Sequence, residues 1–204
     1  MMEMFPALNK SDVDHNPIKQ FAKWYDEATA SGIAETDAMT LATATKDGRP
    51  SARIVLLKDF DDRGFVFFTN YESRKGRELT ENPHAALVMH WAELEREICI
   101  TGAVARLPRA ESEAYFRSRP RGARLAAWVS KQSAVVPGRQ YLEQQMHEVS
   151  ARFPEDVPIP EYWGGYVLAP VEIEFWQGRP SRLHDRLRYT RQPDGSWKIE
   201  RLSP

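Results

Sequence analysis

The sequence predicts an α+β fold: one domain built on an antiparallel, closed or partly closed β-barrel with peripheral helices. Three observations point there. Runs rich in β-branched and aromatic residues are separated by tight turns such as Lys46-Asp47-Gly48-Arg49, Asp61-Asp62-Arg63-Gly64 and Asp194-Gly195, and such turns join antiparallel neighbours. Apolar residues at helical spacing are confined to a few inserted segments. No repeat, low-complexity tract or linker divides the 204 residues, a length that suits one domain and buries a core without staples.

Taken in order, Asn16-Pro17 opens the first helix, with Asn as N-cap and Pro at the first helical position. Ile18, Phe21, Ala22 and Tyr25 keep helical spacing until Ser31-Gly32 ends it. Residues 1–15 read as a flexible N-terminal extension, which leaves 16–204 as the domain. Strands are expected over 38–45, 50–58 and 65–69, then a helix over 73–81 that stops before Asn82-Pro83, because proline disfavours helical geometry in the residue before it. Strands over 84–91 and 95–107 come next, followed by helices over 109–117, 122–130 and 138–153. After a proline-rich loop the strands resume over 166–169, 171–177, 182–191 and 197–202.

Charge is balanced, with 28 basic and 29 acidic residues, which argues against a general nucleic-acid binder. The basic residues are bunched instead: Arg117, Arg119, Arg121 and Arg124 fall close together, which suggests a small anionic ligand. Cys99 is the only cysteine, so no internal disulfide forms and a cysteine-based zinc site is disfavoured. No metal is expected. No apolar stretch reads as a signal peptide or a membrane span, and a reducing cytoplasm is the expected compartment.

The richest stretch is 173–186. Ile173-Glu174-Phe175-Trp176 reads as a strand, Gly178-Arg179-Pro180 as a turn, and 182–186 as the return strand. Arg182, His184 and Arg186 would then share one face, occupied either by something anionic or π-rich or simply by solvent along a basic edge strand. Arg53-Ile54-Val55-Leu56-Leu57-Lys58 alone reads as a core strand with snorkelling ends. In Thr69-Asn70-Tyr71-Glu72-Ser73-Arg74-Lys75 a helix capped by Ser73 carries two cations in its first turn, where they are unfavourable unless an anion binds there. Tyr115 and Arg119 are four residues apart, one face of a helix, and arginine suits phosphate. There is no glycine-rich phosphate loop, no nucleophile elbow and no paired carboxylates. Anion clamps without a nucleophile suit a cofactor that carries the chemistry itself.

Taken together, Glu174-Phe175-Trp176-Gln177 with Arg182-Leu183-His184-Asp185-Arg186, the 53–58 segment, Ser73-Arg74-Lys75, Ser118-Arg119-Pro120-Arg121 and 127–133 resemble the pyridoxamine 5′-phosphate oxidase family in order, from about residue 16 to 204. The resemblance implies a split β-barrel and a homodimer with FMN between the subunits. It implies FMN contacts from Arg53, Ile54, Val55, Leu56, Leu57, Lys58, Phe68, Thr69, Arg74 and Lys75. Glu97, Gln132, Ser133, Trp176 and Arg186 complete that set, some from the partner chain. Lys58, Tyr115 and Arg119 would clamp the substrate phosphate beside Ala123, and Arg182 and His184 would lie on the pyridine ring as the catalytic pair. The implied reaction oxidises pyridoxamine or pyridoxine 5′-phosphate to pyridoxal 5′-phosphate, with O2 as acceptor and H2O2 as product.

This chain departs from the family pattern in four places. Glu97 stands for a usual glutamine, Ala123 for a serine and Phe68 for a tyrosine, and the segment before Asn16 is short. Two other readings stay open: a flavin oxidase of the same barrel family acting on another ring, as in phenazine biosynthesis, and a non-catalytic binder of flavin or pyridoxal phosphate.

Overall fold

The computed structural model describes residues 7–204. Asn16 accepts from the Ile18 N–H and caps helix α1 (Pro17–Ala30), with Pro17 at a position that needs no N–H. Among the described residues nine strands form one curled antiparallel sheet. They are β1 (Ala38–Ala44), β2 (Pro50–Leu56), β3 (Asp59–Asp61), β4 (Gly64–Asn70), β5 (His84–Trp91), β6 (Arg96–Arg106), β7 (Trp163–Gln177), β8 (Asp185–Arg191) and β9 (Trp197–Arg201). Helix α2 (Arg74–Glu81) follows β4; α3 (Arg109–Ser118), α4 (Arg121–Val129) and α5 (Arg139–Arg152) lie between β6 and β7. This is the α+β, antiparallel half-barrel architecture that the sequence predicts.

The strand order is β2-β1-β5-β6-β7-β4-β3, with β8 and β9 branching from β7. β7 is one strand, where the sequence suggests two. β6 runs along it from Tyr166 to Gln177, while its other partner changes from β4 at Trp163–Leu168 to β8 at Glu172–Gln177. Pro170 stands between the two partners, where its missing N–H takes no bond from a ladder. The register against β6 shifts between Thr101 and Gly102, and a Cβ on Gly102 would lie 2.0 Å from the Ala169 carbonyl oxygen. Handing one strand to two partners splits the barrel. Past β2, the Leu57 N–H donates to Asp37 O and the Lys58 N–H to Val66 O, which brings the chain across to β4.

The main core packs α1 into the curl of the sheet. The Phe21 ring meets Phe60 and Phe65 edge-on at 4.9 and 4.8 Å, and Trp24 meets Phe175 at 5.2 Å. Full burial of each such ring stabilises the fold by about 1.5–3 kcal/mol. Arg96 bonds Glu27 at 2.6 Å and Gln177 at 3.0 Å and lies over Trp24, tying α1 to the ends of β6 and β7. A second cluster of Phe116, Leu125, Ala127, Val157 and Trp163 sits beneath α3–α5. Leu8 and Val13 are buried, the Leu8 N–H donates to Asp185, and Asp14 O accepts from the Tyr189 hydroxyl. The part of the suggested N-terminal extension before residue 7 lies outside the described residues.

Three local expectations are corrected. The strand expected to start at 182 starts at Asp185: Pro180–Arg182 is a 3-10 turn, and Ser181 and Arg182 take left-handed φ values of 59° and 62°. Arg182, His184 and Arg186 therefore share no strand face. Segment 53–58 is not a core strand, since β2 is a sheet edge with Ile54 64% and Leu56 40% exposed. The arginine bunch is mostly structural. Arg121 donates to the Phe153 and Pro154 carbonyls, Arg124 pairs with Asp156, and Arg117 lies near Glu113.

Candidate active site

A cleft of about 410 Å³ is lined by β2, β4, the start of β7 and helices α2–α4. Of the residues singled out in the sequence, Ile54, Val55, Leu56, Lys58, Phe68, Thr69, Lys75, Tyr115, Arg119, Ala123 and Gln132 line it.

Its aromatic wall is a stack. Phe68 lies 3.9 Å from Tyr115 and 5.5 Å from Trp163, all three rings nearly parallel. Arg119 is not on α3 with Tyr115; it is the C-cap residue, in extended conformation before Pro120. That turn lays its guanidinium over Trp163 at 4.8 Å. Arg119 Nη1 is buried with no hydrogen-bond partner, and burial pushes the guanidinium pKa down, with Tyr115 opposing. A buried donor of this kind is costly until a partner arrives. Lys58 is held by Asp37 at 2.8 Å.

The cations at the start of α2 are fixed by an independent set of bonds. Ser73 caps the helix by accepting from the Gly76 N–H at 3.2 Å. Lys75 Nζ donates to Thr69 Oγ1 at 3.2 Å and to Gln132 Oε1 at 2.9 Å, and the Arg74 N–H donates to Ser133 Oγ at 3.1 Å. Ser133 reaches that position with a φ of 72°. Lys75 is 8% exposed. Burial first, then the Arg53 charge, pulls its pKa down to about 8. A buried ammonium with neutral partners, next to a guanidinium, is short of an anion. Arg53 and Arg74 do not line the cavity but converge on Glu78. Leu57 turns into the main core.

The remaining predicted residues sit elsewhere in the chain. Glu97, Trp176 and Arg186 are aligned across β6, β7 and β8. Arg186 grips Glu174 with two bonds of 2.6 and 3.1 Å. The His184 ring lies 4.6 Å from Trp176, and its Nδ1 accepts from the Arg179 N–H. Arg182 is exposed in the turn before it. Cys99 Sγ donates to Glu97, and burial, then the nearby carboxylates, pushes the thiol up to about 12. That thiol is no nucleophile.

Sequence reasoning did not single out Asn70, Ala126, Ala127, Ser130 or Trp163 as site residues, yet all five line the cavity. The signal for Trp163 was the pair of glycines after it: a Cβ on Gly164 would lie 2.1 Å from the Tyr71 hydroxyl, so the chain there is pressed close to its neighbours. Planar aromatic walls with buried, underpartnered cations fit a phosphorylated ring compound, FMN included. Lys75, with Arg53 and Arg74 beside it, is suited to a cofactor phosphate.

Comparison with known proteins gives a consistent picture. The family described as pyridoxamine 5′-phosphate oxidase matches residues 25–153, and a pyridoxine 5′-phosphate oxidase C-terminal dimerisation region matches 163–204. A pyridoxine/pyridoxamine 5′-phosphate oxidase of Ralstonia nicotianae is 58% identical over 97% of this chain and 93% of its own length. One from Trichormus variabilis is 57% identical with the same coverage. Among solved structures, PhzG from Burkholderia lata, in complex with tetrahydrophenazine-1-carboxylic acid, superposes with a TM-score of 0.91 at 36% identity, covering 97% of this chain and 98% of that one. A pyridoxamine 5′-phosphate oxidase-related, FMN-binding protein from Nostoc punctiforme shares the fold, with a TM-score of 0.74 at 17% identity over 94% of this chain and 100% of that one.

Proposed function

The chain belongs to the pyridoxamine 5′-phosphate oxidase family, and on that premise we propose that it oxidises pyridoxamine 5′-phosphate and pyridoxine 5′-phosphate to pyridoxal 5′-phosphate, with FMN as cofactor. It is an oxidoreductase, as relatives matching it over 97% of its length are named. In the proposed reaction the amine substrate, O2 and water give the aldehyde, ammonia and H2O2; the alcohol and O2 give the aldehyde and H2O2. When bound, FMN would supply a two-electron acceptor for the oxidation at the substrate's C4′, with O2 as the final oxidant.

The observation that carries the reading is the cavity with Arg119 Nη1 buried and unpartnered in its wall. Lys58, Tyr115 and Arg119 hold the substrate phosphate, a remote handle that fixes the reacting carbon. Arg53, Arg74 and Lys75 hold the cofactor phosphate. Arg182 and His184 orient the pyridine ring, and His184 is placed to hold or release a proton at its ring nitrogen. One chain leaves these two outside its own cavity, so in this reading a second copy brings them. Support comes from the dimerisation region at 163–204, which contains them, and from Ile54, Leu56 and Leu183, which stand 64%, 40% and 71% exposed. No described helix is long and apolar enough to cross a membrane, and a cytoplasmic location is part of the proposal.

The likeness to PhzG favours one second reading, a flavin oxidase of another ring compound. Peroxide release from pyridoxamine with and without its phosphate separates the two. The proposal expects a preference of about ten- to hundredfold in kcat/KM for the phosphorylated form, the worth of a charge-assisted bond to Arg119. Equal rates favour the second reading. A flavin-loaded protein that never bleaches anaerobically with pyridoxamine 5′-phosphate is a binder instead.

A further inference from the structure

Glu78 is the one acidic side chain that is buried among the described residues, at 4% exposure, and nothing in the proposed reaction uses it. It lies on α2, one turn beyond Arg74, and faces the paired residues Thr43 and Ser51 of β1 and β2. Its Oε2 accepts from the Thr43 hydroxyl at 2.5 Å and from the Ser51 hydroxyl at 2.6 Å. Both hydroxyls in turn accept from Arg53, Thr43 from Nη1 and Ser51 from Nη2. Arg53 also reaches Glu78 directly at 3.4 Å, and Arg74 Nε donates to the other carboxylate oxygen at 2.8 Å.

The carboxylate thus holds two guanidinium groups at once, one through a ring of hydroxyls and one by a direct bond. Burial alone would raise its pKa. The Ser51, Thr43 and Arg74 bonds and the Arg53 charge outweigh burial and hold it at about 2, so it is charged throughout the working range. Arg53, Arg74 and Lys75 with this one carboxylate leave a local charge near +2, the complement of a phosphate monoester dianion. Side chains ordered before binding lose little rotamer freedom when the ligand arrives.

We propose that Glu78 is a positioning residue for the cofactor phosphate, holding Arg53 and Arg74 in the arrangement that receives it without touching it. This rests on the reading of Arg53, Arg74 and Lys75 as the FMN phosphate site. A purely structural tie between α2 and the sheet would act on all ligands alike, and the test separates these cases. The full-length chain, stripped of flavin, is titrated with FMN and with riboflavin, which lacks the phosphate, in wild type and Glu78→Gln. The amide keeps the shape but loses the charge and one acceptor. The expected result is FMN binding weakened by about tenfold with riboflavin binding unchanged. Equal weakening of both ligands, no change in either, or tighter FMN binding overturns the proposal. If Glu78→Gln does not fold, Glu78→Asp takes the same titrations, judged by the same criterion. Wild-type protein that binds FMN no better than riboflavin would instead sink the phosphate-site reading beneath it.

Discussion

Lys75 and Gln132 in the cavity are bonded to each other and to Thr69, and Lys58 is bonded to Asp37, all from regular elements or their immediate flanks. The turn from Gly178 to His184 is built differently. Arg182 is exposed, follows another left-handed residue, and stands beside Leu183, which is 71% exposed. Two consecutive non-glycine residues in that conformation each cost about 1 kcal/mol or more unless the surroundings compensate. The polar side chains of the cavity are fixed by bonds made within one chain. The turn is exposed and strained, and in the proposed reading it meets a second copy of the chain. Binding and turnover should therefore separate by region: cavity variants move affinities, turn variants move rates.

The largest effect is expected at the turn. Arg182→Ala should lower kcat by about a hundredfold or more, the scale of lost orientation of the reacting ring. FMN affinity should stay within about twofold, because Arg182 is not among the residues that hold Lys75 or Arg74. Peroxide release and a flavin titration on the same preparation read both quantities. Unchanged turnover would reduce the turn to a structural bend, and a parallel loss of FMN would erase the division between the regions.

An intermediate effect is expected in the cavity from pH. The Lys75 pKa, down at about 8 in the free protein, is raised when a phosphate dianion binds, so the complex holds more protons than the free protein above that value. FMN affinity must then fall as pH rises through about 8, by at most about tenfold per pH unit for one proton. Lys75→Arg keeps its charge throughout this range and should flatten the profile. The stability sign is the opposite one. A lysine depressed in the fold binds fewer protons than in the unfolded chain above about 8, so its share of stability rises with pH between about 8 and its ordinary 10.5. A slope that survives Lys75→Arg would assign the proton to another group.

The two regions were also unequally legible in the sequence. Capping and turn chemistry are local, so Asn16, Ser73 and the 46–49 hairpin could be read directly, and with them the antiparallel α+β frame. The exchange of partners along β7 was not legible, because Pro170 looks the same whether it ends a strand or sits between two partners of one strand. The 178–186 turn was misread as an early strand for a related reason: left-handed φ values at Ser181 and Arg182 carry no composition signal without glycine or asparagine. In the cavity, Lys75 and Arg119 were visible as charge in odd places and Tyr115 by its spacing from Arg119. Trp163 was marked only by the two glycines after it and Glu78 by nothing local, because their roles arise from contacts across the fold, with Arg119 and with Thr43 and Ser51.

The smallest expected effect sharpens the cavity side of the comparison. Ala123 lies in the first turn of α4 and lines the cavity together with Tyr115 and Arg119. Ala123→Ser adds one hydroxyl there, at a helix position where serine is well tolerated. An added hydroxyl that only supplements the charged donors already on the phosphate contributes about 0.5–1.5 kcal/mol, so KM for pyridoxamine 5′-phosphate should fall by about two- to tenfold. kcat should not move, since the bond forms equally in ground and transition states. The unphosphorylated amine should show no change at all. A lower KM for both substrates would mean the hydroxyl acts on the ring, and the phosphate would then belong elsewhere in the cavity, away from Arg119. A change in kcat alone would be the more damaging result, because it would place a cavity residue among the groups that set the rate and dissolve the contrast with the turn.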